Sequence, residues 1–163
     1  MNDFKNVMIS IRGQQYMPEL DDMGDIELVT AGRLVLENGN YIISYPESEL
    51  TGLEGATTML LVQPGQVTMM RTGEFSTHMV FEQGCKHLSL YETAEGALTV
   101  GVSAHRVRAA MTETGGDIEM EYALEIDNVI AGENRINIQV RESPEASAPP
   151  ADTGTFVYEQ YLN

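Results

Sequence analysis

The stretch from Gln66 to Val102, QVTMMRTGEFSTHMVFEQGCKHLSLYETAEGALTVGV, holds four short β-prone runs separated by Thr72-Gly73, Gln83-Gly84-Cys85 and Ala94-Glu95-Gly96. Links this short join only antiparallel neighbours, because a parallel crossover needs about a dozen residues or more. The centre of the chain is therefore expected to be a β-meander, and the segments on either side must be compatible with one.

They are. Val7, Ile9 and Ile11 alternate with Met8, Ser10 and Arg12, the period of two that marks a half-buried strand over Val7–Arg12. Met17–Asp25 carries a proline, a glycine and four acids without a period, which predicts an irregular connection before extended structure resumes over Ile26–Leu36. Gly32 interrupts that strand and is expected to mark a bulge or bend. Asn38-Gly39 is a type I′ hairpin signal leading into Tyr41–Tyr45. Pro46–Gly55 (PESELTGLEG) reads as an acidic loop, a lid or a rim, followed by strands at Thr57–Gln63 and Gln66–Thr72 around Pro64-Gly65.

Beyond the meander, Leu98–Met111 is too long for one flat strand, and its apolar parity switches from Leu98, Val100 and Val102 to Val107, Ala109 and Met111, which places a bulge or bend near His105. Asp117–Ile126 alternates most cleanly, with Ile118, Met120, Tyr122, Leu124 and Ile126 on one face and Glu119, Glu121 and Glu125 on the other. Arg135–Arg141 mirrors it across the connection Asp127–Glu133, so Arg135 or Arg141 can face the glutamates, each pair adding about 0.2–1 kcal/mol. Residues 143–163 change character, with Pro144, Pro149 and Pro150 and no lysine or arginine, and are expected to form a flexible tail. Within it Thr155–Leu162 (TFVYEQYL) is either a short docking motif or a segment that packs on nothing in particular. Hairpin-linked strands without helical crossovers leave a sandwich or a barrel. Closure removes exposed edges, so the expected fold is all-β: an antiparallel up-and-down barrel of about eight to ten strands over residues 1–142, with the tail at 143–163.

Composition bounds the partners. A chain of 163 residues, 42% apolar, is long enough for one domain with a real core. Twenty-five acidic residues against nine basic ones give a net charge of −16, which repels phosphate backbones and anionic headgroups, so nucleic acid and membrane surfaces are not expected partners. Met1–Lys5 lacks a basic region followed by an apolar core, and the longest purely apolar run is Met59–Val62; neither a signal peptide nor a transmembrane helix is expected. A single cysteine, Cys85, cannot form an internal disulfide and fits a reducing, cytoplasmic location. Its turn position beside Lys86 reads as solvent-facing and inert rather than reactive.

One set of segments points further: Tyr41-Ile42-Ile43-Ser44-Tyr45, Glu47 through Gly55, Met70-Arg71-Thr72-Gly73-Glu74, Met79-Val80-Phe81-Glu82, His87 through Thr93, and Gly96-Ala97-Leu98. In that order the chain resembles the YwiB-like family of small bacterial proteins, a domain of unknown function with a calycin-like (lipocalin-like) β-barrel. The resemblance spans Val7–Glu142, implies the barrel, and supplies no activity, ligand or catalytic residue.

The chemistry must come from the residues. Arg71, Glu74, His78, His87, Tyr91 and Glu92 lie near the meander turns. Arg71 shares parity with Val67 and Met69 and is expected at the interior or rim, where it could hold a carboxylate. Glu74 has the opposite parity to Phe75, Met79 and Phe81 and is expected in solvent, so the two cannot cooperate. His87, Ser89 and Tyr91 share a face, either a polar pocket floor or a solvent face. His78, His87 and His105 come from different strands without metal-ligand spacing, and no metal or cofactor is expected. The ten methionines are expected to fill a core, and they also suit an apolar pocket.

The candidate ligand-binding residues are Arg71, Tyr45, Met69, His87 and Tyr91, with no catalytic residue assigned. The leading function is non-enzymatic binding of a small, largely apolar or carboxylate-bearing molecule at the barrel mouth. Competing with it are an interaction module forming a homodimer or meeting a protein partner, and an acid–base enzyme using Arg71, Glu74, Glu92, Tyr91 and Tyr45. A water-accessible cavity lined by Arg71 together with a carboxylate would put the acid–base reading above the binding one.

Overall fold

A computed structural model describes residues 4–17, 22–47, 55–74, 76–126 and 128–143. The expectations for the tail beyond Ser143 and for most of Pro46–Gly55 lie outside the described residues. Ten strands follow in chain order: β1 Phe4–Met17, β2 Asp22–Glu37, β3 Asn40–Pro46, β4 Thr57–Gln63, β5 Gln66–Thr72, β6 Thr77–Glu82, β7 Lys86–Thr93, β8 Gly96–Thr112, β9 Gly115–Ile126 and β10 Val129–Glu142. Each pairs antiparallel with its sequence neighbours, and β1 pairs with β10, so the sheet closes into an up-and-down barrel. β4 and β5 have the boundaries read from the sequence. The first hairpin differs: β1 and β2 stay paired from Phe4↔Val35 to Met17↔Asp22, so Asp22–Asp25 belongs to a strand although it lacks an apolar period. Main-chain pairing with β1 alone carries these residues, since β3 pairs with β2 only over Arg33–Glu37. Likewise β10 begins at Val129 rather than Arg135, with its own bulge between Ile130 and Gly132.

Two irregularities had a sequence signal. Asn38 and Gly39 both take positive φ, 53° and 81°, as a type I′ turn requires. The β8–β9 register shifts between Ala104 and Arg106, so His105 is the bulged residue and the inward parity passes from Val102 and Ala104 to Val107. The expected bulge at Gly32 is absent: the β1–β2 register runs through Val7↔Gly32 unbroken. Glycine is required there for space, since a Cβ would collide with the Ser44 backbone oxygen and the Ile9 side chain.

The alternation sorts the barrel into two halves along its axis. Around the turns at Asn38-Gly39, Pro64-Gly65 and Gln83–Cys85 the interior is packed solid, with Val7, Ile9, Ile43, Val67, Val102 and Val140 each fully buried. The outer face carries charge pairs such as Arg135–Glu121 at 3.1 Å and Arg106–Glu119 at 3.7 Å. A second apolar cluster of Val35, Ile42, Met59 and Met70 lies on the outward face of β2–β5. Between β6 and β7 the ladder is thin, with one pair, Thr77↔Tyr91, among the described residues.

Candidate functional site

At the opposite end the inward positions stop short of filling the barrel and leave a cavity of about 450 Å³. Phe81 and Tyr122 meet edge to face at its floor, their ring centroids 4.7 Å apart and planes at 62°. Above them Leu28, Leu60, Met69, Met79, Met120 and Ile136 supply apolar walls. Ile26, Leu98 and Ile126 line the mouth while remaining 56%, 42% and 37% exposed.

The charged groups and their hydrogen-bond partners lie on one wall, built by β3, β4 and β5 across the barrel from β8–β10, while Gln15, Tyr91, Tyr122 and Asn134 line the cavity from other strands. Tyr45 ends the inward series Tyr41, Ile43, Tyr45 on β3, and Glu47 continues that period one residue beyond the strand. The Glu47 N–H donates to the Ala56 carbonyl at 2.8 Å, tying the base of the loop and fixing the glutamate over the mouth. Thr58 on β4 faces Arg71 on β5 in register. Its hydroxyl donates to Glu47 Oε2, Arg71 Nε donates to Thr58 Oγ1 at 3.2 Å, and Arg71 Nη2 donates to Glu47 Oε2 at 3.4 Å. The Glu47 side chain is 2% exposed and that of Arg71 15%, so the ion pair is largely withdrawn from water yet borders the cavity. Burial, and after it the Glu47 carboxylate, holds Tyr45 well above the ordinary tyrosine range, with Arg71 and Thr58 pulling the other way. Burial pushes Tyr122 up to about 12, against a smaller opposing pull from Arg71. Both phenols are therefore neutral hydrogen-bonding groups at physiological pH.

Of the five residues proposed from sequence, Arg71, Tyr45, Met69 and Tyr91 line this cavity. His87 does not: it lies at the other end of β7, where Nε2 meets Glu82 Oε1 at 2.8 Å across the thin β6–β7 seam. Ser89 is buried and Leu88 and Leu90 are 69% and 61% exposed, so the His87-Ser89-Tyr91 face is the inward one. Glu74 is exposed, and Glu92 accepts from the Ser76 N–H at 3.0 Å on the surface. Cys85 is exposed in its turn, and among the described residues no group of three or more metal-ligating side chains is gathered together. Glu47 and Thr58 were not singled out from sequence. The available signal was parity, since Glu47 extends the Tyr41-Ile43-Tyr45 face and Thr58 shares one with Leu60 and Val62.

Residues 9–138 match the family model described as Domain of unknown function (DUF1934). Among solved structures, the crystal structure of the ywiB protein from Bacillus subtilis is similar, with a TM-score of 0.76 and 18% identity, covering 86% of this chain and 93% of that one. No curated protein matches the sequence.

Proposed function

Since the chain belongs to the family of the domain of unknown function DUF1934, whose description carries no activity, we propose a function from its own barrel: it binds a small, largely apolar molecule inside the open end. The cavity is the observation that carries this reading. Its volume of about 450 Å³ falls in the ordinary range for small-molecule sites. Its walls are mostly apolar with one polar cluster, the composition that gives affinity by burial and orientation by a few hydrogen bonds. The apolar lips Ile26, Leu98 and Ile126 favour entry of a greasy ligand. Charge on the outer face and apolar residues within are the reverse of a membrane-spanning barrel, in keeping with a protein that works in water.

A second reading is favoured by one observation: Arg71 shares the cavity with a carboxylate, Glu47, the condition set from sequence for ranking acid–base chemistry first. The geometry argues for keeping binding ahead. Glu47 Oε2 already accepts from Thr58 and Arg71, and a general base must be able to reach a substrate proton. Tyr45 and Tyr122, held protonated by burial, are poor bases.

Titration with an uncharged environment-sensitive fluorophore, N-phenyl-1-naphthylamine, tests the reading. The wild type should bind one equivalent, and Met79→Trp, which fills the cavity, should abolish binding while the protein stays folded by circular dichroism. Equal binding by the filled variant would move the site elsewhere, and no binding by the wild type would overturn the proposal.

A further inference from the structure

Resting on that binding reading, we infer that the cavity selects a molecule whose polar end is uncharged, such as an amide, ester, ketone or alcohol, and discriminates against a carboxylate of the same size. Among the described residues lining it, Arg71 is the one cation and Glu47 the one anion, and they are paired at 3.4 Å. Read alone, Arg71 would be an anchor for an anionic ligand. Read with Glu47, its charge is already matched inside the wall, and Thr58 locks the match by accepting from the guanidinium while donating to the carboxylate.

A ligand carboxylate brought to this wall would share one guanidinium with Glu47, leaving an uncompensated negative charge in a site screened poorly by water. The overall charge of −16 adds a long-range penalty to the approach of any anion. An ammonium faces the mirror problem, because the carboxylate it would seek is 2% exposed and already hydrogen-bonded. A neutral acceptor carries neither cost. It can take an N–H of Arg71 beyond the three directed at Thr58, Glu47 and the Met69 sulfur, or the hydroxyl of a tyrosine that burial keeps protonated, while its apolar remainder lies against Met69, Met79 and Met120.

The test is competition for bound N-phenyl-1-naphthylamine at neutral pH, with decanamide and decanoate as chain-matched competitors, on the wild type and on Glu47→Gln. Decanamide should displace the probe from the wild type at a concentration at least about tenfold lower than decanoate. Glu47→Gln, which frees the Arg71 charge, should close or reverse that gap. Should the variant fail to fold, the wild-type pair alone decides. Decanoate competing as well as decanamide on the wild type overturns the inference while leaving the binding reading standing. Failure of the fluorophore to bind the wild type overturns both.

Discussion

The two ends of the barrel are made by the same ten strands with the same inward-outward alternation, yet one end is solid and the other hollow. At the closed end the inward residues are aliphatic and wholly buried, as Val7, Ile9, Val67, Val102 and Val140 are, and strands meet closely enough that Gly32 has no room for a side chain. At the open end the inward positions pass to Arg71, Glu47, Tyr45, Tyr91, Gln15 and Asn134 among larger apolar groups. Buried polar groups need partners, and Arg71, Glu47 and Thr58 find them in one hydrogen-bonded cluster, while Gln15, Tyr91 and Asn134 border the unfilled volume from other strands. Stability should therefore reside at the closed end and ligand chemistry at the open one.

The largest effect expected on that contrast is a truncation in the solid half. Ile9→Ala should cost about 2–5 kcal/mol in urea unfolding, because its neighbours cannot collapse into the hole. Ile136→Ala, facing the existing cavity, should cost less than half as much. Equal losses would mean that the two ends are not energetically distinct. Gly32→Ala should follow, at about 1–3 kcal/mol by overpacking, since the added methyl meets the Ser44 backbone oxygen as well as the tip of Ile9, and the backbone cannot swing aside.

A pH profile separates the ends differently. Tyr122 has a folded pKa raised from 10.0 to about 12, so above pH 10 the unfolded chain loses a proton that the folded one keeps. The contribution is fully present below pH 10 and is lost as pH rises from 10 toward 12. Urea midpoints should fall over that window, and Tyr122→Phe should flatten the fall; an unchanged slope would mean that the phenol is not desolvated in the folded state. The smallest effect belongs to the outer surface. Arg12 and Glu27 pair at 3.2 Å but are 66% and 72% exposed, so Arg12→Ala should shift stability by less than about 0.5 kcal/mol.

How much of this the residues announced follows the same division. Turns with special backbone needs, such as Asn38-Gly39, and parity changes, such as the one at His105, are local and were legible. So was the inward direction of Arg71, from Val67 and Met69 on the same face. At Gly32 the bulge reading failed because a bulge and a close approach leave the same mark, a glycine in a strand, and only the neighbouring strands distinguish them. The Arg71–Glu47–Thr58 cluster was missed because Glu47 follows a proline in a stretch that reads as loop, and its partners lie 11 and 24 residues away. His87 was placed on the correct face of β7 but at the wrong end of the barrel, since parity gives a face and says nothing of depth along the axis.

The central claim is that an apolar ligand enters the hollow end and nowhere else, and the methionines report on it directly. Met69, Met79 and Met120 line the cavity, whereas Met59 and Met70 belong to the outward cluster. In a titration of methyl-labelled methionine followed by NMR, with decanamide as ligand, the first three methyl resonances should shift together and saturably while those of Met59 and Met70 stay in place. Shifts confined to Met59 and Met70, or none at any methionine up to the solubility limit of the ligand, would contradict it.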